Sequence, residues 1–512
     1  MLSASHKQSC IEKAEFVLTE IQRIQELLNR KQDFKVIFGD GPSAMFEFMA
    51  KIKHEETGRE YSCGTKALGV FQEVAAIALS NESAPEDFDA KEISEHLRET
   101  FLSYVLKDLE TPLENYVEHW VKDTIAYVSR RHRSYTHYIP CVALQIGNED
   151  AYRFGPIEFS RKSIVRTGVI ESMQRFELAR TRLSNQARRN AAPGLQWCWD
   201  RADGKKLKEP TEAFDQLVEG VEWIAVVTVP RCASAISEAR AEAALRLALC
   251  GMTLLLPKAD GAGLRLKDDP AVPYQQNKLS SVGRTGKLRP SSSWKFGAPK
   301  VHEGWREHIE SKAKDVLKVL EHLIGQALTG RSLSFGFQIA QRAVTWYSDA
   351  VREMNVETKL VKCTTAIECL LLAAPRKATA TFIIRGALLA QRQNQPMSHW
   401  APIAKRLYQR RGDTVHGNID SLNAATKESS AEAMEFTRNV VLQFLQFCHV
   451  LQPLGPKRVG TKEDFLELYR DTERTFETEI REIVDKHELG WDIAGSQTNQ
   501  SVPSKQRRKR NK

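Results

Sequence analysis

Within the run Lys405-Arg-Leu-Tyr-Gln-Arg-Arg-Gly-Asp-Thr-Val-His-Gly417, Arg411 precedes His416 by little more than one helical turn. Cutting an RNA strand without a metal ion needs two kinds of group. One must take the proton of the 2′-hydroxyl or return a proton to the leaving oxygen, and imidazole, with an unperturbed pKa of about 6.5, suits this near neutrality. The other must meet charge on the non-bridging phosphate oxygens, and a planar guanidinium pairs with two of them at once. His416 fits the first role and Arg411 the second. Ile403 and Leu407 mark the inner face of a helix, and Arg411 lies one turn beyond Leu407. The helix is expected to run into Gly412, so that arginine and histidine meet at its end, with Gly417 free to take a positive φ and present the imidazole at a surface.

An arginine followed after a gap of four to six residues by a histidine is uninformative alone, since this composition yields roughly three such matches by chance. Arg131 with His137, Arg392 with His399 and Arg481 with His487 are of that kind. The match at Arg411 differs in its surroundings: a Leu-Tyr-x-x-Arg helix, then Val-His-Gly, preceded by Ala366-Ile-Glu-Cys-Leu-Leu-Leu372. These motifs together resemble the Apea-like HEPN domain family, over residues 330–455 or about a quarter of the chain. The resemblance implies an all-α bundle of four or five helices that forms a homodimer, pairing two Arg/His motifs across a cleft, in proteins many of which cleave RNA in antiviral defence or toxin systems. It also selects Arg411 over the adjacent Arg410, because Arg411 stands three residues after Tyr408. Gly412 takes the place where many members carry a polar residue, with Asp413 one step later. That departure favours a second reading, in which the bundle dimerises or binds RNA without cutting it. A third reading is a toxin silenced by a partner enzyme that modifies Tyr408.

Four further residues belong to the supporting set: Glu368, Tyr408, Asp413 and Arg410, the last of which also fits the permitted spacing to His416. Glu368 is a lone carboxylate in the apolar run Ala366–Ala374, and burying it unpaired is costly, so it either faces solvent or pairs with a cation such as Arg411. Tyr408 could offer its hydroxyl to a phosphate or simply pack. Asp413 is the other carboxylate near the pair. One or two carboxylates do not make a two-metal centre, and no cofactor is expected.

The rest of the chain must position these groups. At 512 residues it should hold more than one domain. Helical periodicity over Cys10–Lys31 and Ser94–Ala126, β-type runs at Tyr135–Ile146 and Tyr152–Ser160 forming a hairpin around Gly147, a helix over Ser163–Gln186, a strand at Glu222–Val229 ended by Pro230 and a helix over Ser234–Leu256 make residues 1–256 a mixed α/β region. Its expected role is to sense a regulatory ligand or a phage-derived trigger. Residues 257–301, rich in proline, glycine, serine and cations, read as an irregular basic linker in which Lys287, Arg289, Trp294 and Lys295 could meet single-stranded RNA by charge and stacking. Helical patterning fills 302–490, and 491–512 lacks apolar periodicity and reads as a disordered basic tail. The fold class is therefore α-rich and multidomain, mixed α/β first and all-α after.

Hydrophobic residues at 42% and charged residues at 27% are the balance of a soluble protein. Six of the nine net positive charges lie in Lys505–Lys512, which leaves the rest of the chain at only +3 and argues against a polyanion-coating body. The most apolar stretch, Leu247–Leu256, is about half of what a membrane crossing needs. Nine cysteines without a C-x-x-C pair point to reduced buried thiols, and the N-terminus lacks a signal-peptide layout; the expected location is cytoplasmic. Ser281-Val-Gly-Arg-Thr-Gly-Lys287 has serine where a phosphate loop needs its first glycine and is not one.

Overall fold

The computed structural model of the chain describes residues 2–29, 49–53, 60–105, 113–171, 210–256, 263–267, 269, 275–282, 287–294, 299–301, 304–372, 377–392, 394–417, 427–451 and 460–491. Contacts group the chain into two units that are not collinear with the sequence segments. The first comprises Met1–Ile139, Ala225–Leu245 and Gly325–Arg331; the second comprises Pro140–Ile224, Arg246–Ile324 and Ser332–Lys512.

The first unit opens with α1 (Ala4–Asn29), which buries Cys10, Ala14, Val17 and Ile21 along one face, as its periodicity requires. An antiparallel pair, β1 (Met49–Lys53) and β2 (Glu60–Gly64), leads into α2 (Thr65–Ser80). The single helical run read over Ser94–Ala126 is two helices, α3 (Ala90–Val105) and α4 (Leu113–Arg131). They close on an aromatic cluster in which Phe101 lies 5.5 Å from Phe71 and 5.2 Å from Trp120, ring centre to ring centre. The Trp120 indole donates to the Leu97 carbonyl at 3.2 Å and to Thr100 Oγ1 at 3.1 Å, so the buried N–H is satisfied.

A five-stranded sheet runs in the order β5-β6-β7-β3-β8, with β3 at Arg133–Val142, β5 at Ala151–Phe154, β6 at Ile157–Arg161, β7 at Trp223–Cys232 and β8 at Arg265–Leu266. Two sequence expectations change here. The hairpin forms around Gly155, not Gly147: Phe154 pairs with Ile157, and Gly155 at φ +57° supplies the turn. The Gln145–Ile146 strand, β4, instead pairs in parallel with β11 (Lys300–Val301). Strand β7 also continues through Pro230 to Cys232. After β6, residues 162–171 are helical; the rest of the predicted Ser163–Gln186 helix lies outside the described residues. Next in the chain come α5 (Pro210–Leu217), ahead of β7, and α6 (Ser234–Leu255), after it.

The segment read as an irregular linker contains an antiparallel hairpin, β9 (Gln275–Val282) with β10 (Lys287–Trp294), in register from Val282 opposite Lys287 to Gln275 opposite Trp294. Serine-rich, proline-bearing strands resemble a loop in composition, which hides them from pattern reading.

Along the chain, α7 (Trp305–Lys312) and α8 (Lys314–Thr329) precede the five-helix bundle of the second unit, made of α9 (Phe335–Arg352), α10 (Val356–Leu371), α11 (Ala378–Ala390), α12 (Met397–His416) and α13 (Lys427–Leu451), followed by α14 (Lys462–Thr475) and α15 (Glu477–His487). The fold is thus α-rich, with a mixed N-terminal region and an all-helical C-terminal one. Arg438 of α13 donates to the Leu254 and Leu255 carbonyls at 2.8 and 3.1 Å, satisfying the C-terminal end of α6. The eight described cysteines are free thiols, and all but Cys369 are buried. Among the described residues no helix is long and apolar enough to cross a membrane.

Arg385 is the only charged residue of α11 and is 7% exposed. Its Nε donates to Glu473 Oε1 of α14 at 2.7 Å, its Nη1 donates to the Leu371 carbonyl at 2.7 Å, and its guanidinium lies 4.5 Å from the Tyr469 ring centre. Removing one partner of a buried pair strands the other charge. Arg385→Ala is expected to lower unfolding free energy by about 3–5 kcal/mol in urea denaturation, whereas a loss under about 1 kcal/mol would mean that water reaches Glu473 freely.

Candidate active site

Helix α12 buries Met397, Trp400, Ala401, Ala404 and Leu407, a line with steps of three and four residues. Arg411 is the next position on that line. Its side chain is therefore drawn inward and keeps only 33% exposure, and its Nε is closed off from solvent with no hydrogen-bond partner among the described residues. Arg411 Nη2 stands 3.7 Å from Glu368 Oε2 of α10, close enough for charge attraction but beyond a hydrogen bond. Of the two alternatives open for Glu368, the structure thus has the pairing with Arg411. Burial pushes the Glu368 carboxyl above its ordinary range, and the positive charge of Arg411 only partly offsets this.

Arg410 points elsewhere. Its Nη2 and Nε donate to Glu357 Oε1 and Oε2 at 2.8 and 3.3 Å, and Thr414, one turn on, donates its hydroxyl to Glu357 Oε2 at 3.1 Å. Glu357 lies in the first turn of α10, whose N-cap Asn355 accepts from the Thr358 amide at 2.9 Å. Glu357 and Glu368 are about three turns apart on one face of α10. The neighbouring arginines thus diverge to two carboxylates on the same helix, one tightly bonded and one loosely held. Sequence reasoning missed the Glu357 clamp, although Arg410 and Thr414 at i, i+4 were its visible half.

The helix does not stop at Gly412. It continues to His416, and Gly417 ends it in the left-handed conformation at φ +71°, its amide reaching the carbonyls of Asp413 and Thr414. Gly412 has ordinary helical geometry, which is why it does not act as a breaker. His416 is exposed on the last helical residue and makes no hydrogen bond among the described residues; Asp413 is exposed as well. Continuous helix sets Arg411 and His416 about 140° apart around the axis and about 7.5 Å along it. The Tyr408 ring lies 4.9 Å from that of Phe382, which in turn approaches Phe436, so Tyr408 packs at the bundle's inner face.

Of the predicted RNA-contacting residues, Lys287, Arg289 and Trp294 fall on β10, opposite Val282, Ser280 and Gln275, while Lys295 lies outside the described residues. The 491–512 tail lies outside them too, apart from Trp491. Among the described residues no group of three or more histidine, cysteine, aspartate or glutamate side chains could hold a metal ion. Compared with known proteins, the chain matches no family model, no curated protein and no solved structure.

This geometry predicts two stability effects. A methyl group on Gly412 would meet nothing within 4 Å, so Gly412→Ala is expected to add about 0.5–1 kcal/mol, read from denaturant midpoints; a loss would mean that the helix is interrupted there. Because the folded carboxyl of Glu368 is raised above its unfolded value near 4.5, its contribution is most favourable at acid pH and is lost as pH rises through the folded pKa. Glu368→Gln should therefore melt higher than the wild type at neutral pH, with the advantage vanishing below about pH 4.5. A difference that is flat across pH would contradict the raised carboxyl.

Proposed function

We propose that the chain is a metal-independent endoribonuclease of the HEPN type, acting as a homodimer, with a mixed α/β regulatory region and an antiviral-defence or toxin role. The observation that carries this reading is the half-buried Arg411. Its terminal Nη groups make no hydrogen bond among the described residues, its nearest carboxylate is loosely held, and it lies on the same helix as an exposed His416 that is likewise unbonded among the described residues. An arginine whose role is structural is bonded as Arg410 is; the half-exposed end of Arg411, beyond hydrogen-bond distance of Glu368, leaves its Nη donors for a phosphate.

In the proposed reaction His416 takes the proton of the substrate 2′-hydroxyl, whose oxygen forms a bond to phosphorus. The bond from phosphorus to the 5′-oxygen breaks, and the leaving oxygen takes a proton from a second acid. The Arg411 guanidinium holds the non-bridging oxygens as charge grows on them. The products are a 2′,3′-cyclic phosphate and a 5′-hydroxyl. The wide angle between Arg411 and His416 supports a dimer, because a second copy of the motif can supply an imidazole facing the arginine of the first and gives the two proton-transfer groups that in-line cleavage uses. The alternative, a bundle that binds RNA or dimerises without cutting, is favoured by Gly412, which leaves no polar side chain directly after the arginine.

Purified protein incubated with mixed cellular RNA in excess EDTA should cut it and leave cyclic phosphate ends, with substrates lacking the scissile 2′-hydroxyl intact. His416→Ala and Arg411→Ala should each abolish cutting while remaining within about 1 kcal/mol of wild-type stability. Mixing the two variants should return part of the activity if the cleft is shared. Cutting that requires magnesium and leaves 5′-phosphates, or that treats DNA equally, would place the chemistry elsewhere. Binding without cutting would favour the alternative.

A further inference from the structure

We infer that the cleft between α3 and α4 in the first unit is a binding site for a nucleoside monophosphate whose base carries an amino group. This goes beyond the ribonuclease reading and does not depend on it. The cavity is about 380 Å³, within the range of small-ligand sites and adequate for one nucleotide. Both helices place polar side chains along its wall. From α3 come His96, Thr100 and Tyr104, one turn apart on a single line; from α4 come Asp123, Thr124 and Arg130.

Each group has a definite state. The Tyr104 hydroxyl donates to Asp123 Oδ2 at 2.6 Å, a charge-assisted bond that fixes the carboxylate and leaves Oδ1 without a partner among the described residues. Thr124 is only 2% exposed, lines the cleft, and makes no hydrogen bond among the described residues, so a hydroxyl is held at the floor with its capacity unused. Thr100, 7% exposed, is by contrast already bonded to the His96 carbonyl and the Trp120 indole. The His96 ring stacks on Tyr127 at 4.0 Å and 9°, and the Arg131 guanidinium lies 5.6 Å from the Tyr127 ring centre, so the imidazole is held in one orientation.

The order of these groups selects the ligand. Asp123 and Arg130 lie on one helix about 10 Å apart, with Thr124 and His96 between them. A carboxylate with one open oxygen accepts from an amino group; hydroxyl and imidazole in the middle suit ribose oxygens; an exposed guanidinium at the far end suits a phosphate. A free amino acid carries its opposite charges too close together to meet both ends, whereas the amino group of a nucleobase and the phosphate of its nucleotide are separated on this scale. A base with no amino group offers Asp123 much less.

Calorimetric titration of the full chain with AMP, CMP, GMP and UMP tests the assignment. The first three should bind and UMP should bind about tenfold more weakly, the worth of one hydrogen bond to a charged group. Asp123→Asn keeps an acceptor for Tyr104 and should erase that preference. Arg130→Gln, at an exposed position that a fold tolerates, should weaken AMP about tenfold and leave adenosine unchanged. Arg411→Ala should bind all four as the wild type does. The inference is overturned if none binds at about 1 mM, if UMP binds as well as the others, or if Arg411→Ala loses binding that Asp123→Asn and Arg130→Gln keep, since the nucleotide would then occupy the proposed nuclease site.

Discussion

Helix α10 carries both carboxylates that the arginines of α12 address, and its C-terminal end is held in a way that sequence position alone would not provide. The last turn leaves carbonyls without helical partners. Two of them are met by side chains from other helices: the Tyr469 hydroxyl donates to the Leu370 carbonyl at 2.9 Å, and Arg385 donates to that of Leu371 at 2.7 Å. The next residue, Leu372, takes a left-handed conformation at φ 51°, unusual for a leucine. The buried pair of Arg385 with Glu473, itself 3% exposed, fixes the donor that makes this end acceptable. Glu368 stands less than one turn before the capped residues, so its place opposite Arg411 is inherited from that buried charge pair.

The same logic of desolvation distinguishes the two arginine contacts on α10. Glu357 is surrounded by donors and holds α12 in place as a structural clamp. Glu368 is half-buried with one cation beyond bonding distance, which leaves the cation under-satisfied and the carboxyl easier to protonate. Charges that are fully paired stabilise a fold; charges held apart at a short distance retain capacity for a third participant. Arg411, held 3.7 Å from Glu368 and bonded to no acceptor among the described residues, is in the second condition.

Much of this was legible from the residues. The apolar spacing of Trp400, Ala404 and Leu407 continues to Arg411, and the isolation of Glu368 among apolar neighbours called for a cation. Arg385 gives the same signal, a lone charge in Ala378–Ala390, and the argument used for Glu368 would have flagged it. Its partner Glu473 lies far along the chain in a helix with many charges, so periodicity could not name it. The β9–β10 hairpin was hidden by loop-like composition, and the parallel β4–β11 pairing joins segments whose short strands carry no pattern of their own. Gly412 misled because a glycine next to an arginine-rich helix end looks like a stop, while its backbone is ordinary helix.

That continuity has a consequence for how the segment can vary. Arg411 and His416 share one rigid screw, so each residue inserted or deleted between them would swing the imidazole by about 100° and shift it by about 1.5 Å. The length of the interval is therefore far less negotiable than its content. Thr414 is bound to Glu357 and so has a reason to stay, whereas Gly412 and Val415 face open space or solvent and are free to drift. Gly417 then ends the helix with a left-handed cap. Lineages of this sequence should thus keep the interval between Arg411 and His416 fixed in length while Gly412 and Val415 vary in identity.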